Sequence, residues 1–322
     1  MDAALASPAA PPILEARGLT RRFGAITAVD GVDLAVPPGT VTGVLGPNGS
    51  GKSTFLRMLI GLVRPHAGSA TVAGERLAGD GTAIRRRVTF APGEIALYGE
   101  LVADEQLTWL LRGRGRVALD RARALAGELG LPLDKRVHAY SHGMKRQLLF
   151  CAALGPASGP DAATRVPLVI LDEPTEGLDP TKRREVLEHI DALRAAGGTV
   201  LLSSHHLGEV EAVCDRLVFF HGGRILSDAS PDALRARARR SLRIAYGAEA
   251  EAAVVEAALV DHPAVADLAR EGALLRLELV DEDPRPFLAA FAGLDAPAPT
   301  RLASGHLSLT DLYRTVYGVS GL

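Results

Sequence analysis

Residues 46–54 read GPNGSGKST and match the pattern G-x-x-x-x-G-K-[ST], which decides the fold of this chain. Residues 41–45, just before it, form an apolar, strand-like run, and apolar residues after it recur at helical spacing as far as residue 63. A strand, a glycine loop and a helix in this order are the context in which such a loop binds phosphate. We therefore predict a loop that holds a nucleoside triphosphate, rather than a chance glycine turn.

Each residue type in this loop has a physical role in phosphate binding. The glycines let consecutive backbone N–H groups point into one concavity, and the following helix adds the positive end of its dipole. Lys52 is expected to reach the β- and γ-phosphates, and the Ser53 hydroxyl is expected to bind Mg²⁺. The predicted nucleotide-binding residues of the loop are Gly46, Pro47, Asn48, Gly49, Ser50, Gly51, Lys52, Ser53 and Thr54.

A second motif, LVILDEP at residues 168–174, ends a predicted strand in acidic side chains. Ligands of open α/β sheets bind at the carboxyl ends of the strands, which is where Asp172 lies. Asp172 is therefore predicted to bind Mg²⁺. Glu173 points to the other side of an extended chain, from which it could polarise the water that attacks the γ-phosphate. The alternative, a plain acidic turn, is weak because a glycine loop lies upstream.

Residues 140–147, YSHGMKRQ, lie between the glycine loop and the acidic strand end. In that position and order the segment resembles the signature sequence of ATP-binding cassette (ABC) ATPases. The resemblance extends from about residue 14 to about residue 226. It implies an α/β P-loop NTPase fold with a mostly parallel core sheet, an antiparallel β subdomain and an α-helical subdomain. It also implies that ATP and Mg²⁺ bind between two cassettes of a homodimer.

Ser141 and Gly143 stand at the start of a helix predicted over residues 144–154. A serine there is by itself a routine helix cap. The resemblance implies that Ser141 and Gly143 contact the ATP held by the opposing subunit. His142 and Met144 depart from LSGGQ, the commonest signature. Variants of the form YSxGM are frequent in export-type ATPases, so the departure favours an exporter.

The resemblance assigns three further residues. His205, in the segment SSHH, matches the switch histidine that senses the γ-phosphate, with His206 as the competing candidate. Asp179, in EGLDP, matches the loop through which one active site senses the other, and it can also cap the helix that begins at Pro180. Phe23 fits the aromatic side chain that stacks on adenine, although lone aromatics more often belong to a core.

The weakest match to the family is APGEIALY at residues 91–98. The family usually places a glutamine directly after the proline, where it contacts Mg²⁺ and water and couples to the membrane subunit, but this chain has Gly93. We hypothesise that Glu94 partly substitutes for the glutamine, or that a water fills the gap. Trp109 either joins the coupling surface or, more in keeping with its type, is a half-buried aromatic of the helical subdomain. The predicted coupling surface comprises Ala96, Leu97, Tyr98 and Leu101.

The composition indicates a soluble protein of a reducing compartment. A formal charge of −2 on 322 residues gives no sign of a polyelectrolyte partner such as DNA. No apolar run approaches the ~18 residues that a membrane-spanning helix needs. Residues 1–12, rich in alanine and proline, predict a disordered start rather than a secretory leader. Cys151 and Cys214 are far apart in apolar contexts and predict buried, reduced thiols.

Strands and helices alternate through residues 13–230, the predicted cassette, which implies parallel pairing in a sheet covered on both faces. Residues 155–167, GPASGPDAATRVP, are predicted to be a solvent-facing loop insertion, and residues 207–214 a helix. Residues 231–322 predict an accessory α+β domain. Its arginine-dense helix at residues 235–243 is expected to be solvated rather than bound to lipid, and a closing helix is expected at residues 309–317.

The interpretation that covers all these motifs is the ATPase subunit of an ABC transporter, most similar to those that power ABC-2-type exporters of the antibiotic-resistance kind. The resemblance implies a separate integral-membrane permease subunit, a peripheral location on the cytoplasmic face of the membrane, and no nucleic-acid partner. One alternative is a soluble ABC ATPase that acts on nucleic acid or ribosomes. Another is a P-loop kinase or transferase, which leaves YSHGM, EGLDP and SSHH unexplained.

Overall fold

The computed structural model describes residues 11–159, 166–206, 208 and 211–304. The chain divides into two compact units between Asp228 and Ala229. The predicted disordered start and the predicted closing helix, apart from residues 11 and 12, lie outside the described residues. Among the described residues, no helix combines the length and the apolar character needed to cross a membrane.

An antiparallel sheet opens the first unit. It contains β1 (Leu14–Phe23), β2 (Ile26–Val36), β4 (Ala67–Val72) and β5 (Glu75–Arg76), in the order β2-β1-β4-β5. The apolar runs of the sequence predict strands at residues 13–16 and 29–36. β1 and β2 are longer because the pairing continues past Gly18 and Gly31, which lie in the left-handed region at φ 58° and 63°. The register of the hairpin shifts near these glycines, as expected at β-bulges.

A six-stranded sheet forms the centre of the same unit. It contains β3 (Val41–Leu45), β6 (Val88–Ala91), β7 (Leu168–Asp172), β8 (Val200–Ser204), β9 (Arg216–His221) and β10 (Arg224–Ala229), in the order β10-β9-β3-β8-β7-β6. The pairs from β9 through β3, β8 and β7 to β6 are parallel. β3, β7 and β8 are buried along their whole length, which explains their unbroken apolar sequences.

Six α-helices belong to the described part of this unit. They are α1 (Lys52–Leu59), α2 (Thr82–Arg87), α3 (Ala103–Leu110), α4 (Arg116–Glu128), α5 (His142–Leu154) and α6 (Pro180–Ala195). The helices α3, α4 and α5 pack against one another and form the predicted helical subdomain, with α5 also touching β6 and β7. α5 begins two residues earlier than predicted because the Ser141 side chain caps it and accepts a hydrogen bond from the Met144 N–H (3.2 Å).

Two local predictions differ from the structure. The stretch at residues 155–167 is not solvent-facing at its start, since Gly155, Pro156 and Ala157 form a buried turn of 3₁₀ helix. A Cβ atom on Gly155 would lie 2.6 Å from the Ala122 Cα, so this turn packs directly on α4. The predicted helix at residues 207–214 is only partly described, and its residues 211–213 form a turn.

The second unit is an α+β fold around one antiparallel sheet. It contains α7 (Pro231–Arg240), β11 (Ser241–Ala245), α8 (Glu249–Leu259), β12 (Val265–Glu271), β13 (Leu274–Leu279), α9 (Arg285–Ala292) and β14 (Arg301–Ser304), with strand order β12-β13-β11-β14. Alternate residues of β11 and β13, such as Leu242, Ile244, Leu275 and Leu277, build its core.

The arginine-dense segment differs from its prediction at one end. The helix stops at Arg240, and Arg243 lies in β11 opposite Arg276 because the alternation of buried Leu242 and Ile244 favours a strand. Side chains of α7 pair with acidic residues of the same unit, for example Arg239 with Glu282 at 2.8 Å. Pairing of this kind fits the solvated helix that the sequence predicts.

Candidate functional site

The glycine loop connects β3 to α1 in the predicted way. Lys52 is the first residue of α1, and its side chain is only 5% exposed although it carries a charge. Its Nζ donates hydrogen bonds to the carbonyls of Gly46 (2.7 Å) and Pro47 (3.2 Å). The ammonium group is thus folded back into the loop, with the backbone N–H groups at the start of α1 beside it.

Two glycines of the loop are required by close packing. A Cβ atom on Gly51 would lie 2.1 Å from the Ala28 carbonyl oxygen, and this residue has a φ of 106°. A Cβ atom on Gly46 would lie 2.3 Å from the Phe220 carbonyl oxygen. The loop is therefore fixed against β2 and β9, so its concavity is set by the sheets on either side.

Asp172, the last residue of β7, connects the glycine loop to β8 through hydrogen bonds to its carboxylate. Its Oδ1 accepts hydrogen bonds from the hydroxyls of Ser53 (3.0 Å) and Ser203 (2.6 Å). Its Oδ2 is buried and has no hydrogen-bond partner among the described residues. Ser203, which the sequence analysis did not single out as a site residue, also accepts a hydrogen bond from the Glu173 N–H (3.1 Å).

The Glu173 carboxylate lies between a lysine and a histidine, one near each oxygen. Its Oε1 is 3.5 Å from the Lys52 Nζ, and its Oε2 is 3.0 Å from the His205 Nδ1. The side chain is 10% exposed, and the backbone adopts a left-handed φ of 51° that is uncommon for a residue other than glycine. A backbone held in this region, in a residue whose carboxylate has two polar partners, indicates a functional constraint. His206, the competing histidine, lies against the His205 ring at a centroid distance of 3.8 Å.

The signature residues lie at the N-terminus of α5. Ser141 caps the helix, and Asp179 caps α6 by accepting a hydrogen bond from the Lys182 N–H (3.0 Å). His142 packs on Gly177, whose added Cβ would lie 2.8 Å from the imidazole Cδ2. A Cβ on Gly143 would lie 3.2 Å from the Gly177 carbonyl oxygen. The start of α5 and the loop before α6 are thus packed together within one chain.

Arg146, about one turn into α5, was not singled out from the sequence. Its side chain is 3% exposed, and its Nη1 donates to the carbonyls of Gly93 (2.7 Å) and Pro92 (3.3 Å). Its Nη2 is 3.3 Å from the Glu176 Oε2. Burial lowers the pKa of the Arg146 guanidinium, and the carboxylate of Glu176 opposes that effect.

Gly93, which occupies the position where the family usually has a glutamine, lies close to Asp172. A Cβ atom on Gly93 would lie 3.0 Å from the Asp172 Oδ2 and 3.2 Å from its Cγ. Glu94, the hypothesised substitute, is 85% exposed, and its carboxylate lies 3.4 Å from the Arg57 Nη2. Substitution by Glu94 or by a water stays a prediction.

A cavity of about 870 Å³ is lined by the predicted phosphate-binding residues except Gly46 and Pro47. Its lining includes residues 48–54 of the loop, Asp172 and Glu173, together with Gly93, Glu94, His142, Arg146 and Glu176. Phe23 lies outside this lining, is 46% exposed and carries the Arg21 guanidinium 4.5 Å from its ring centroid. Its cross-strand neighbour Ile26 lines the cavity instead, at 70% exposure.

The donor set beside the loop fits Mg²⁺. The unpartnered Asp172 Oδ2 and the Ser53 hydroxyl are hard oxygen ligands, and Mg²⁺ in nucleotide sites takes one or two such groups and completes its shell with phosphate and water. The described residues contain no group of three or more His, Cys, Asp or Glu side chains that could hold a metal ion without a substrate.

A second cavity, of about 680 Å³, opens between the central sheet and the helical subdomain. We call it the subdomain groove. Apolar residues line it together with Arg85, Arg86, Arg112 and Arg114. Among the described residues of its lining, none is acidic. Elsewhere in the helical subdomain, Tyr98 (56% exposed) meets Trp109 (49% exposed) edge to face at 5.0 Å.

The fold and the glycine loop define a P-loop nucleotide-binding protein. The model of the ABC transporter family matches residues 29–176. The daunorubicin/doxorubicin resistance ATP-binding protein DrrA of Streptomyces peucetius is 38% identical over 229 residues, which cover 69% of this chain and 66% of that protein. The daunorubicin resistance protein DrrA3 of Streptomyces coeruleorubidus is 39% identical, covering 68% of each chain. The Nod factor export ATP-binding protein I of Ralstonia nicotianae is 36% identical, covering 69% and 68%.

Solved structures give the same result. An ATP-binding subunit of an ABC transporter superposes with a TM-score of 0.62 at 31% identity, covering 69% of this chain and 92% of that one. A bacterial ABC transporter cassette solved as a dimer superposes at 0.60 with 22% identity, covering 68% and 98%, and supports the fold alone. The chain belongs to the family of ABC transporter ATP-binding proteins and is an ATPase of that family. The predicted family and fold class are confirmed.

Proposed function

We propose that this chain hydrolyses ATP on the cytoplasmic face of a membrane and thereby powers export through a separate membrane subunit. The observation that carries the proposal is the position of Glu173, with the Lys52 ammonium 3.5 Å from one carboxylate oxygen and His205 3.0 Å from the other. A carboxylate beside a phosphate-binding loop, held by a lysine and a histidine, suits the positioning of a water for attack on phosphorus. The named relatives are ATP-binding proteins for drug resistance or for export.

Each residue has a proposed role that follows from its contacts. Lys52 leaves the loop carbonyls and contacts the β- and γ-phosphates, and residues 46–54 hold the phosphates through backbone N–H groups. Glu173 orients the attacking water, and His205 hydrogen-bonds Glu173 and the γ-phosphate. Ser53 and Asp172 would hold Mg²⁺, which would neutralise charge on the phosphates. We propose that Phe23 contacts the adenine. It is 46% exposed, and it pairs across the β1–β2 hairpin with Ile26, which lines the cavity.

ATP-driven dimerisation is the proposed source of mechanical work. Ser141, Gly143 and Asp179 are the residues that we assign to the opposing subunit's nucleotide. The Ser141 hydroxyl and the first N–H groups of α5, a helix of 13 residues, form an anion-binding end. The packing of His142 on Gly177 supports a link between this end and the loop of Asp179. Closure of two copies over two ATP molecules would bring each signature segment to the partner's phosphates.

The subdomain groove and the pair Tyr98–Trp109 are the proposed attachment surface for the membrane subunit. Large aromatic side chains about half exposed are typical of interfaces. The test compares Trp109→Ala with Val117→Ala, which removes an apolar side chain of similar exposure from α4 (56% against 49%). We expect the first variant to retain basal ATPase activity but to lose co-purification with a polytopic membrane protein, and the second to retain both.

The chemical proposal is tested by Glu173→Gln, which keeps the shape of the side chain and removes its charge. We expect normal ATP binding and loss of turnover by a factor of at least about 100, the lower end for general-base catalysis. Phosphate release at the wild-type rate would overturn the assigned role of Glu173. Capture of ribosomes or DNA in place of a membrane protein would favour the soluble ABC ATPase instead.

A further inference from the structure

A buried arginine joins three segments around the nucleotide cavity. Arg146 lies on α5 and reaches the carbonyls of Pro92 and Gly93 with one terminal nitrogen and Glu176 with the other. At 3% exposure it is a charged side chain in the interior, where the loss of water must be offset by such contacts. Its Nε has no partner among the described residues.

The shortest of these contacts lies at the wall of the proposed metal site. The Gly93 carbonyl accepts the 2.7 Å hydrogen bond, and the same residue faces Asp172 so closely that an added Cβ would lie 3.0 Å from Oδ2. That oxygen is the buried carboxylate atom without a partner. The Arg146 guanidinium therefore fixes a backbone segment whose position sets the free space beside the Asp172 Oδ2.

We propose that Arg146 is a positioning residue for the metal–nucleotide site, acting through the Gly93 backbone and not by touching substrate. The inference rests on the proposed function, in which Asp172 and Ser53 hold Mg²⁺. It assigns to a guanidinium on the signature helix the task of holding the loop at residues 92–93 beside the metal ligand. A displacement of α5 would then change the space at the Asp172 Oδ2 directly.

The Arg146 charge and the Arg146 hydrogen bonds predict opposite effects on the binding of Mg²⁺. Asp172, Glu173 and Glu176 all interact favourably with the Arg146 charge. If only that charge mattered, its removal would make the electrostatic potential at the site more negative and tighten the binding of Mg²⁺. If the fork of hydrogen bonds matters, its removal frees the Gly93 loop and weakens the binding. Arg146→Lys keeps the charge and loses the fork, whereas Arg146→Met loses both.

The experiment measures binding of a non-hydrolysable ATP analogue by calorimetry, once in EDTA and once in excess Mg²⁺. The readout is the factor by which Mg²⁺ tightens binding. Outer-shell partners of metal ligands typically change metal affinity 10–100-fold, so we expect Arg146→Lys and Arg146→Met to lower this factor about tenfold. Metal-free binding should stay at the wild-type level in both.

Two further variants make the result specific. Gly93→Ala tests the wall directly, and we expect a similar loss because its Cβ would crowd the Asp172 carboxylate at 3.0 Å. Arg123→Lys is the matched control, since Arg123 forms a two-pronged contact with Asp104 (2.6 and 2.7 Å) in the same helical subdomain, and it should behave as wild type. A thermal melt of each variant checks folding. If the Arg146 variants unfold, a wild-type Mg²⁺ factor in Gly93→Ala still overturns the inference, because the position of Gly93 would then not set the space at the Asp172 Oδ2.

Three outcomes would overturn the inference. They are a wild-type Mg²⁺ factor in Arg146→Lys, tighter Mg²⁺ binding in Arg146→Met, or an equal loss of binding with and without metal. If the nucleotide affinity of the wild-type protein does not depend on Mg²⁺, the proposed role of Asp172 and Ser53 as metal ligands fails together with the inference. Failure of Arg146→Lys alone would leave that role intact.

Discussion

Replacing Ser203 with alanine should destabilise the first unit through the loss of one hydroxyl. Ser203 is fully buried, donates to the Asp172 Oδ1 at 2.6 Å and accepts from the Glu173 N–H at 3.1 Å. A hydrogen bond to a charged group contributes about 1.5–3 kcal/mol, and an unpaired buried N–H costs about 1–3 kcal/mol. The Ser53 hydroxyl still serves the same Asp172 oxygen, which limits the loss.

We expect Ser203→Ala to lower the free energy of unfolding by about 3 kcal/mol. That is a large share of the ~5–15 kcal/mol typical of folded proteins. The lone tryptophan, Trp109, lies in the first unit, so its fluorescence during urea denaturation reports this unit. The control is Ser204→Ala, at the next position of β8, where the hydroxyl accepts from the His206 N–H (2.9 Å), donates to the His206 carbonyl (3.5 Å) and should contribute about 1 kcal/mol. Equal destabilisation by the two variants would refute the reasoning about Asp172.

Three other predictions concern pH, thiols and the glycine loop. Burial raises the pKa of Tyr140 to about 12, so its protonated form favours the folded state; this stability is complete below the unfolded pKa of about 10 and is lost as pH rises towards 12. Tyr140→Phe should lack that component in alkaline denaturation, and an unchanged profile would contradict it. Burial raises the pKa of the Cys151 and Cys214 thiols, so both should resist a disulfide reagent at neutral pH until urea is added; reaction in the native state would contradict this. Gly51→Ala, with a Cβ 2.1 Å from a carbonyl, should abolish ATP binding, whereas Gly49→Ala, with open space around it, should cost only about 1–2 kcal/mol of strain; equal ATP binding by the two would contradict this.

Local patterns predicted the parts of the fold that local physics determines. The buried strands β3, β7 and β8 read as apolar runs because both faces of each are covered. The loop between β3 and α1 was readable because its glycines and lysine have fixed spacing. The hairpin of β1 and β2 was underestimated, since glycines that usually end a strand here form bulges inside one.

The sequence pattern did not predict the contacts between segments that are distant along the chain. Arg146 lies 53 residues from its acceptor at Gly93, and nothing in the string YSHGMKRQ shows which of its cations is buried. Ser203 meets Asp172 only because β7 and β8 pair in parallel, with Asp172 opposite Ser203. The edge-to-face contact of Trp109 with Tyr98 likewise joins two separate segments, and the helical periodicity does not show it.

The central claim is that two copies of this chain close over ATP, each completing the partner's site. The most direct test is the mass of purified Glu173→Gln in sedimentation velocity, with and without saturating ATP. We predict a monomer of 33.8 kDa without nucleotide and a species of twice that mass with ATP. A protein that stays monomeric at every ATP concentration while binding the nucleotide would contradict the account.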